Sequence, residues 1–92
     1  MITIQKYSDK VCYVCIDRPS KKNALAKSTV KSLIDFFTMS AHSTQFNAVV
    51  LSGSNAFFSA GADLAWMKEG MNQTEDENIA DAELFNEMYH RM

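Results

Sequence analysis

A run of small residues between a predicted strand and a predicted helix constrains this chain more than any other feature. This small-residue turn, residues 55–64, has the sequence Asn-Ala-Phe-Phe-Ser-Ala-Gly-Ala-Asp-Leu and follows an apolar run at 48–51. Because the side chains at 59–62 are small, backbone N–H groups there lie uncovered beside the positive end of the helix that begins near Asp63. Such a turn can bind an anion or stabilise an oxyanion. It can equally be a tight connection in which Asp63 only caps the helix.

A basic loop at residues 17–25 is the second candidate site. Its sequence is Asp-Arg-Pro-Ser-Lys-Lys-Asn-Ala-Leu, and Lys21 and Lys22 could hold phosphate groups by charge. The alternative is a solvated loop in which Asn23 closes a turn or caps the next helix. Taken alone, the basic loop fits this alternative better.

Hydrophobic periodicity predicts three strands. Alternating residues predict a hairpin made of strands at 2–7 and 11–16, with a turn at 8–9. Residues 46–51 are almost all apolar, which is typical of a central strand that runs parallel to its neighbour.

Three helices complete the pattern. Residues 24–41 carry apolar side chains three and four positions apart, which places them on one helical face. A second helix opens at Asp63, and a third follows a capping box in which Thr74 is the N-cap and Glu77 is the N3 residue. The order β-β-α-β-α-α predicts an α/β fold without an internal repeat.

The last predicted helix reaches Met92 with no glycine, asparagine or proline after Arg91 to end it. Its apolar face and the open edge of a parallel sheet both need partners that these residues do not supply. We therefore expect residues 1–92 to be the N-terminal portion of a larger domain, truncated after Met92.

Charge and composition exclude several classes of function. The net charge of −2 and the absence of a run of like charges give no support for binding nucleic acid or an anionic membrane. No apolar stretch has membrane-spanning length, and the N-terminus resembles neither a signal nor a transit peptide, so we expect a cytoplasmic protein.

Cys12 and Cys15 have C-x-x-C spacing, but residues three apart on a strand point to opposite faces. We expect two free thiols and no metal site.

The acidic residues offer no evident general acid or base. Residues 75–77 suit the N-terminus of the last helix, and Asp81, Glu83 and Glu87 suit its solvated sides. None is expected to be buried opposite another, so none is assigned a catalytic role. Three apolar residues could line an acyl pocket or belong to the core: Trp66, Met67 and Met71.

Three segments together resemble the enoyl-CoA hydratase/isomerase (crotonase) family. They are Ile-Asp-Arg-Pro at 16–19 with Asn-Ala-Leu at 23–25, Ala-Val-Val-Leu-Ser-Gly at 48–53, and Phe-Phe-Ser-Ala-Gly-Ala-Asp-Leu at 57–64. They stand in the family's order and roughly its spacing, and the resemblance as a whole covers nearly all of the chain. The resemblance implies the N-terminal part of a crotonase-type ββα spiral that binds an acyl-coenzyme A.

The resemblance also implies roles for individual residues. The backbone N–H of Ala62 would be one of two oxyanion-hole donors to the thioester carbonyl. The CoA moiety of the substrate would lie against residues of both segments: Lys21, Lys22, Ala60, Gly61, Asp63 and Leu64. CoA enters as part of the substrate, so no separate cofactor is implied. The sequence departs from the pattern at Ala65, where several relatives carry a lysine near the CoA.

The function implied for the parent protein is hydration of an α,β-unsaturated acyl-CoA thioester. The sequence looks most like hydratases of branched leucine-breakdown intermediates, such as 3-methylglutaconyl-CoA, and the family implies a homotrimer or homohexamer. An enoyl-CoA isomerase or an acyl-CoA thioester hydrolase would share every motif, and a non-catalytic binding or assembly module stays open. The second oxyanion donor and the family's glutamates lie beyond Met92, so the isolated chain is expected to be inactive.

Overall fold

The computed structural model describes residues 2–7, 10–41 and 47–92, with the side chains of residues 5–7 left undescribed. The elements follow the predicted order, with one additional short 3₁₀ helix at Pro19–Lys21. The strands and helices are β1 (Ile2–Tyr7), β2 (Val11–Ile16), α1 (Lys27–Ser40), β3 (Ala48–Gly53), α2 (Leu64–Gly70) and α3 (Glu75–Arg91).

The sheet has the order β1-β2-β3. Strands β1 and β2 are antiparallel, and β3 runs parallel to β2, with Ile16 opposite Gly53 at one end of the pair. The predicted hairpin strands and the parallel pairing are therefore confirmed. The predicted central position of the third strand is wrong, because β2 is the central strand in the described part of the chain. Strand β3 begins at Ala48; Phe46 and the predicted turn at residues 8–9 lie outside the described residues.

Helix α1 begins at Lys27, three residues later than predicted. The reason is long-range: Leu25 forms a parallel β-bridge with Ala62, which requires an extended backbone before the helix. Ala26 is the N-cap, with φ −77° and ψ 161°. The predicted apolar face is confirmed, since α1 buries Val30, Leu33, Ile34 and Phe37.

The hydrophobic core lies between one face of the sheet and the helices. Cys12, Val14 and Ile16 of β2 point into it, and Trp66 of α2 and Met88 of α3 complete it. Cys15 lies on the other face of β2 and is only partly buried, and both thiols are free. The prediction that the two cysteines point to opposite faces is confirmed.

Helix α3 starts with the predicted capping box. The backbone N–H of Glu77 donates to Thr74 Oγ1 at 3.2 Å, and the backbone N–H of Thr74 donates to Glu77 Oε1 at 3.1 Å. Acidic residues fill the first turn of α3, as predicted. Within the described residues, no helix combines the length and the apolar character needed to cross a membrane.

Candidate functional site

The bridge between Leu25 and Ala62 joins the basic loop to the small-residue turn. The Leu25 N–H donates to the Gly61 carbonyl at 2.7 Å, and the Asp63 N–H donates to the Leu25 carbonyl at 2.9 Å. In a parallel bridge of this kind, the residue between the two bonded neighbours directs its own N–H and C=O to the opposite side. The N–H of Ala62 therefore points away from Leu25. In the described part of the chain, it meets no hydrogen-bond acceptor.

Asn23 fixes the basic loop against the segment after β3. Its side chain is fully buried, and its carboxamide uses all its hydrogen-bonding capacity. The amide nitrogen donates to the carbonyls of Ser54 and Phe57 at 2.9 and 2.7 Å. The amide oxygen accepts from the Arg18 N–H at 2.8 Å and from Ser54 Oγ at 3.1 Å. Asn23 closes a turn with Arg18, as the alternative interpretation expected, but it is buried and not solvated.

The backbone of Asn23 makes a second connection, through Ser59. Ser59 Oγ donates to the Asn23 carbonyl at 2.8 Å and accepts from the Gly61 N–H at 3.0 Å. The Ala60 N–H donates to the Lys22 carbonyl at 3.0 Å. Lys22 and Asn23 both adopt positive φ, 53° and 59°, which is the turn geometry that asparagine tolerates well. Consecutive contacts along the turn thus set the position of the Ala62 N–H.

Asp63 joins the small-residue turn to both α2 and the basic loop. Its Oδ1 accepts from the Ala65 N–H at 2.8 Å, so the predicted N-cap is confirmed. Its Oδ2 pairs with the guanidinium of Arg18, which also donates to the Ala24 carbonyl at 3.3 Å. The Arg18 hydrogen bond, followed by the Ala65 N–H, lowers the pKa of Asp63 below its ordinary value. Both carboxylate oxygens are engaged, and Asp63 stays ionised.

A cavity of about 630 Å³ opens between the basic loop and α2. This basic cavity brings together six of the seven residues predicted to form the site. They are Lys21, Lys22, Ala60, Ala62, Asp63 and Leu64. Gly61 does not line it; its backbone bonds to Leu25 and Ser59 instead.

The sequence interpretation missed Lys68, which lines the basic cavity together with Arg18. Lys68 lies one helical turn after Leu64, and residues four apart on a helix share a face. The four-residue spacing from Leu64 could therefore have indicated from the sequence that Lys68 lies on the same side of α2. Ala65, where the resemblance implies a lysine in several relatives, lines the same cavity.

A second cavity of about 480 Å³ lies between α2 and α3. Its wall is mostly apolar and includes Trp66, Met67 and Met71, which the sequence had suggested for an acyl pocket, with Phe85 from α3. The rings of Trp66 and Phe85 stack with their centroids 5.0 Å apart. Ala62 lines both this apolar cavity and the basic cavity. The free N–H of Ala62 thus belongs to the residue where the two cavities meet.

Asp81 differs from its predicted role on a solvated side of α3. Its Oδ2 accepts from the Trp66 indole N–H at 3.0 Å, and its Oδ1 pairs with Lys27 Nζ at 2.9 Å. Lys27 first and Trp66 second lower the pKa of Asp81 below its ordinary value. The expectation was wrong because Lys27 begins α1 and Trp66 lies on α2, and neither contact follows from the periodicity of α3.

The described residues bring no group of three or more histidine, cysteine, aspartate or glutamate side chains into an arrangement that could hold a metal ion.

Comparison with known proteins identifies the family. The family model for enoyl-CoA hydratase/isomerase matches residues 6–91. The human mitochondrial Delta(3,5)-Delta(2,4)-dienoyl-CoA isomerase is 31% identical over 70 residues, which are 76% of this chain and 21% of that protein. The 2,3-dehydroadipyl-CoA hydratase of Escherichia coli K12 is 30% identical over 82 residues, 84% of this chain and 32% of that protein.

A solved structure agrees with these matches in both sequence and fold. A putative enoyl-CoA hydratase/isomerase (crotonase) from Legionella pneumophila is 29% identical, with a TM-score of 0.89 over 98% of this chain and 34% of that one. The chain thus spans about a fifth to a third of the length of these relatives. Its mixed strands and helices correspond to one part of the crotonase fold, and the chain belongs to the enoyl-CoA hydratase/isomerase family.

Proposed function

We propose that this chain forms the CoA-binding and oxyanion-donor part of an enzyme that adds water to an α,β-unsaturated acyl-CoA thioester. The observation that carries the proposal is the position of Ala62. Its N–H points away from Leu25 without an acceptor in the described residues, and it lies where the basic and apolar cavities meet. A thioester joins a polar CoA to an apolar acyl group, so its carbonyl belongs at such a junction.

The proposed chemistry depends on the charge that develops on the thioester oxygen. Addition of water to the double bond passes through an enolate-like transition state, in which that oxygen becomes negative. A backbone N–H fixed by the Leu25 bridge and the Ser59 contacts can stabilise this charge without reorganising. Loss of one such donor in an enzyme reduces kcat by about 10²–10³-fold.

The basic cavity suits the phosphates of CoA. Lys21, Lys22 and Lys68 line it, and none of these three ammonium groups forms an ion pair with a described residue. The charge of Arg18 is balanced by Asp63. Lys22 Nζ also lies 5.5 Å from the centre of the Phe57 ring, which orients the ammonium group. The lysines are therefore the groups we assign to the phosphates.

Water addition also needs a group that moves a proton. Asp63 and Asp81 line the two cavities, but each has both carboxylate oxygens engaged and a lowered pKa. Neither suits a general acid. In this proposal, the proton-transferring carboxylates and the second oxyanion donor lie outside the described residues.

A double-bond isomerase is the second candidate, and the human relative named for that activity supports it. An isomerase would use the same Ala62 N–H, because moving a double bond next to a thioester also produces an enolate-like oxygen. A thioester hydrolase would use it for a tetrahedral oxyanion. Resemblance alone suggests 3-methylglutaconyl-CoA as a hydratase substrate.

An NMR experiment on the ¹⁵N-labelled chain tests the donor role. We expect hexanoyl-CoA to shift the Ala62 amide resonance downfield. Its thioether analogue, hexyl-CoA, has no carbonyl and should perturb the lysine-lined region without this shift. Equal Ala62 shifts with both ligands would contradict the donor role.

Replacing Ala62 by proline gives a second test, because proline has no backbone N–H. We expect Ala62→Pro to weaken hexanoyl-CoA binding more than hexyl-CoA binding. Undiminished binding of the thioester by this variant would argue against the assignment of Ala62.

A further inference from the structure

We propose that the acyl group accepted by this site is uncharged along its length, and that Asp81 excludes acyl chains that end in a carboxylate. The inference rests on the proposed function, since it takes the apolar cavity to hold the acyl group. It concerns the far end of that group, which the Ala62 N–H does not contact.

The wall of the apolar cavity contains a single ionisable side chain among the described residues, and that side chain is an acid. Trp66, Met67, Met71 and Phe85 supply most of the wall, and Asp81 supplies the charge. No lysine, arginine or histidine of the described residues lines the cavity. A carboxylate entering it would leave water and lie beside the paired Asp81 instead of an unpaired cation, which is unfavourable.

The two donors nearest to Asp81, the Lys27 ammonium and the Trp66 indole N–H, are already bound to Asp81 itself. Lys27 Nζ is 2.9 Å from one oxygen of Asp81, and the Trp66 indole N–H donates to the other at 3.0 Å. The Lys27 charge is therefore balanced within the protein. The indole ring is also held flat against Phe85, so its apolar face forms part of the wall.

Asn78 is the other polar side chain of the wall, and one of its two amide N–H groups is already bonded. Its Nδ2 donates to the Gly70 carbonyl at 3.0 Å, which links the start of α3 to the end of α2. Its second N–H is uncharged, and no cationic side chain among the described lining residues is available to a second carboxylate. An apolar chain, in contrast, would cover apolar surface at no such cost.

This inference separates the chain from one of its relatives. The Escherichia coli relative is named for 2,3-dehydroadipyl-CoA, whose acyl group ends in a carboxylate. The 3-methylglutaconyl group also ends in a carboxylate. The lining of the apolar cavity favours unsaturated acyl groups that end in a methyl group instead.

Titrations followed by tryptophan fluorescence test the inference on the full chain. Trp66 is the only tryptophan and lines the apolar cavity, so its emission reports on that cavity. The ligands are free CoA, hexanoyl-CoA and adipoyl-CoA. The two thioesters have acyl chains of equal carbon number and differ at the far end, a methyl group against a carboxylate. Calorimetry gives affinities for any ligand that leaves the emission unchanged.

We expect hexanoyl-CoA to bind about tenfold more tightly than free CoA, and adipoyl-CoA to bind no more tightly than free CoA. Adipoyl-CoA binding as tightly as hexanoyl-CoA would overturn the inference and leave the proposed function standing. The same conclusion follows if neither acyl group adds affinity to CoA. Failure of all three ligands to bind would overturn the proposed function, and the inference with it.

The variant Asp81→Asn tests the residue itself. Asparagine keeps the shape and can still accept from the Trp66 indole, but it leaves the Lys27 charge unbalanced. We expect the preference for hexanoyl-CoA over adipoyl-CoA to fall at least threefold in this variant. The control Asp76→Asn removes an exposed acid from the first turn of the same helix and should keep the wild-type preference. An unchanged preference in Asp81→Asn would overturn the role of Asp81. If that variant does not fold, the wild-type comparison of the two thioesters decides the inference.

Discussion

The two cavities that meet at Ala62 are built by different kinds of interaction. The basic cavity rests on two loops joined by backbone and side-chain hydrogen bonds around the fully buried Asn23. The apolar cavity rests on side chains of the short helix α2 and its C-cap, where Met67 and Met71 are 59% and 85% exposed. Hydrogen-bonded loops fix positions closely, while exposed methionines have many rotamers. The basic cavity, beside the proposed donor, is thus rigid, and the apolar cavity, where we propose the acyl group, is adaptable.

Asn23→Ala should have the largest effect on this contrast. It removes a carboxamide whose buried partners, the carbonyls of Ser54 and Phe57 and the N–H of Arg18, would lose their hydrogen bonds. We expect the free energy of unfolding to fall by about 3 kcal/mol, measured by urea denaturation. Asn86→Ala, at an exposed position of α3, is the matched control and should change stability by less than about 0.5 kcal/mol. Equal effects of the two variants would contradict the structural role of Asn23.

Substitutions at Gly53, which packs against the loop backbone, and at Gly70, which lines the apolar cavity, compare the rigidity of the two regions. A Cβ on Gly53 would lie 2.2 Å from the Phe57 carbonyl oxygen, whereas a Cβ on Gly70 would meet only the Asn78 side chain, at 3.1 Å. We expect Gly53→Ala to lower the free energy of unfolding by about 2 kcal/mol, because backbone must move. Gly70→Ala should be within about 1 kcal/mol of wild type. Thermal and urea unfolding of both variants measures the difference. An unchanged free energy of unfolding in Gly53→Ala would mean that the loops are less rigid than described.

Acidification tests the paired carboxylates of both regions. Asp63 and Asp81 have lowered pKa values in the folded protein, through Arg18 and Lys27 respectively. Their contribution to stability is therefore complete above the unfolded pKa of about 3.9 and is lost as the pH falls through the lower folded values. We expect Asp81→Asn to flatten the acid-side decline of the unfolding free energy. Asp76→Asn should leave that decline as in wild type; a wild-type slope in Asp81→Asn would contradict the pairing.

The smallest expected effect concerns the mobile cations of the basic cavity. Lys68→Gln should weaken CoA binding about threefold at low ionic strength, because an exposed ammonium contributes modestly. The effect should shrink as salt is added. Lys31→Gln, on the exposed face of α1, serves as the control. Calorimetric titration with CoA measures both, and equal losses would indicate that only net charge matters.

Local patterns predicted the elements well and the contacts between them poorly. The capping box of Thr74, the cap at Asp63 and the apolar face of α1 are each written within a few consecutive residues. The burial of Asn23 and the ion pair of Arg18 with Asp63 depend on how two distant loops dock. Periodicity carries no information about such docking.

The same difference applies to the candidate site. The resemblance selected Ala62 and most of the basic cavity, because those residues lie in the matching segments. It passed over Lys68, and the periodicity of α3 placed Asp81 in solvent, although Asp81 meets Lys27 and Trp66 from two other helices. The selectivity that we propose for this chain therefore rests on contacts that join different elements.

The bridge between Leu25 and Ala62 also has a consequence for the order of folding events. Each helix can form from its own neighbours in sequence, but the bridge must close a loop that contains all of α1 and β3. Closing a long loop costs chain entropy before the contacts at its ends can stabilise the fold. We therefore expect the Ala62 N–H to reach its final direction late in folding. A variant with native helical content can therefore still lack the proposed oxyanion donor, so helical content alone does not show that the site has formed.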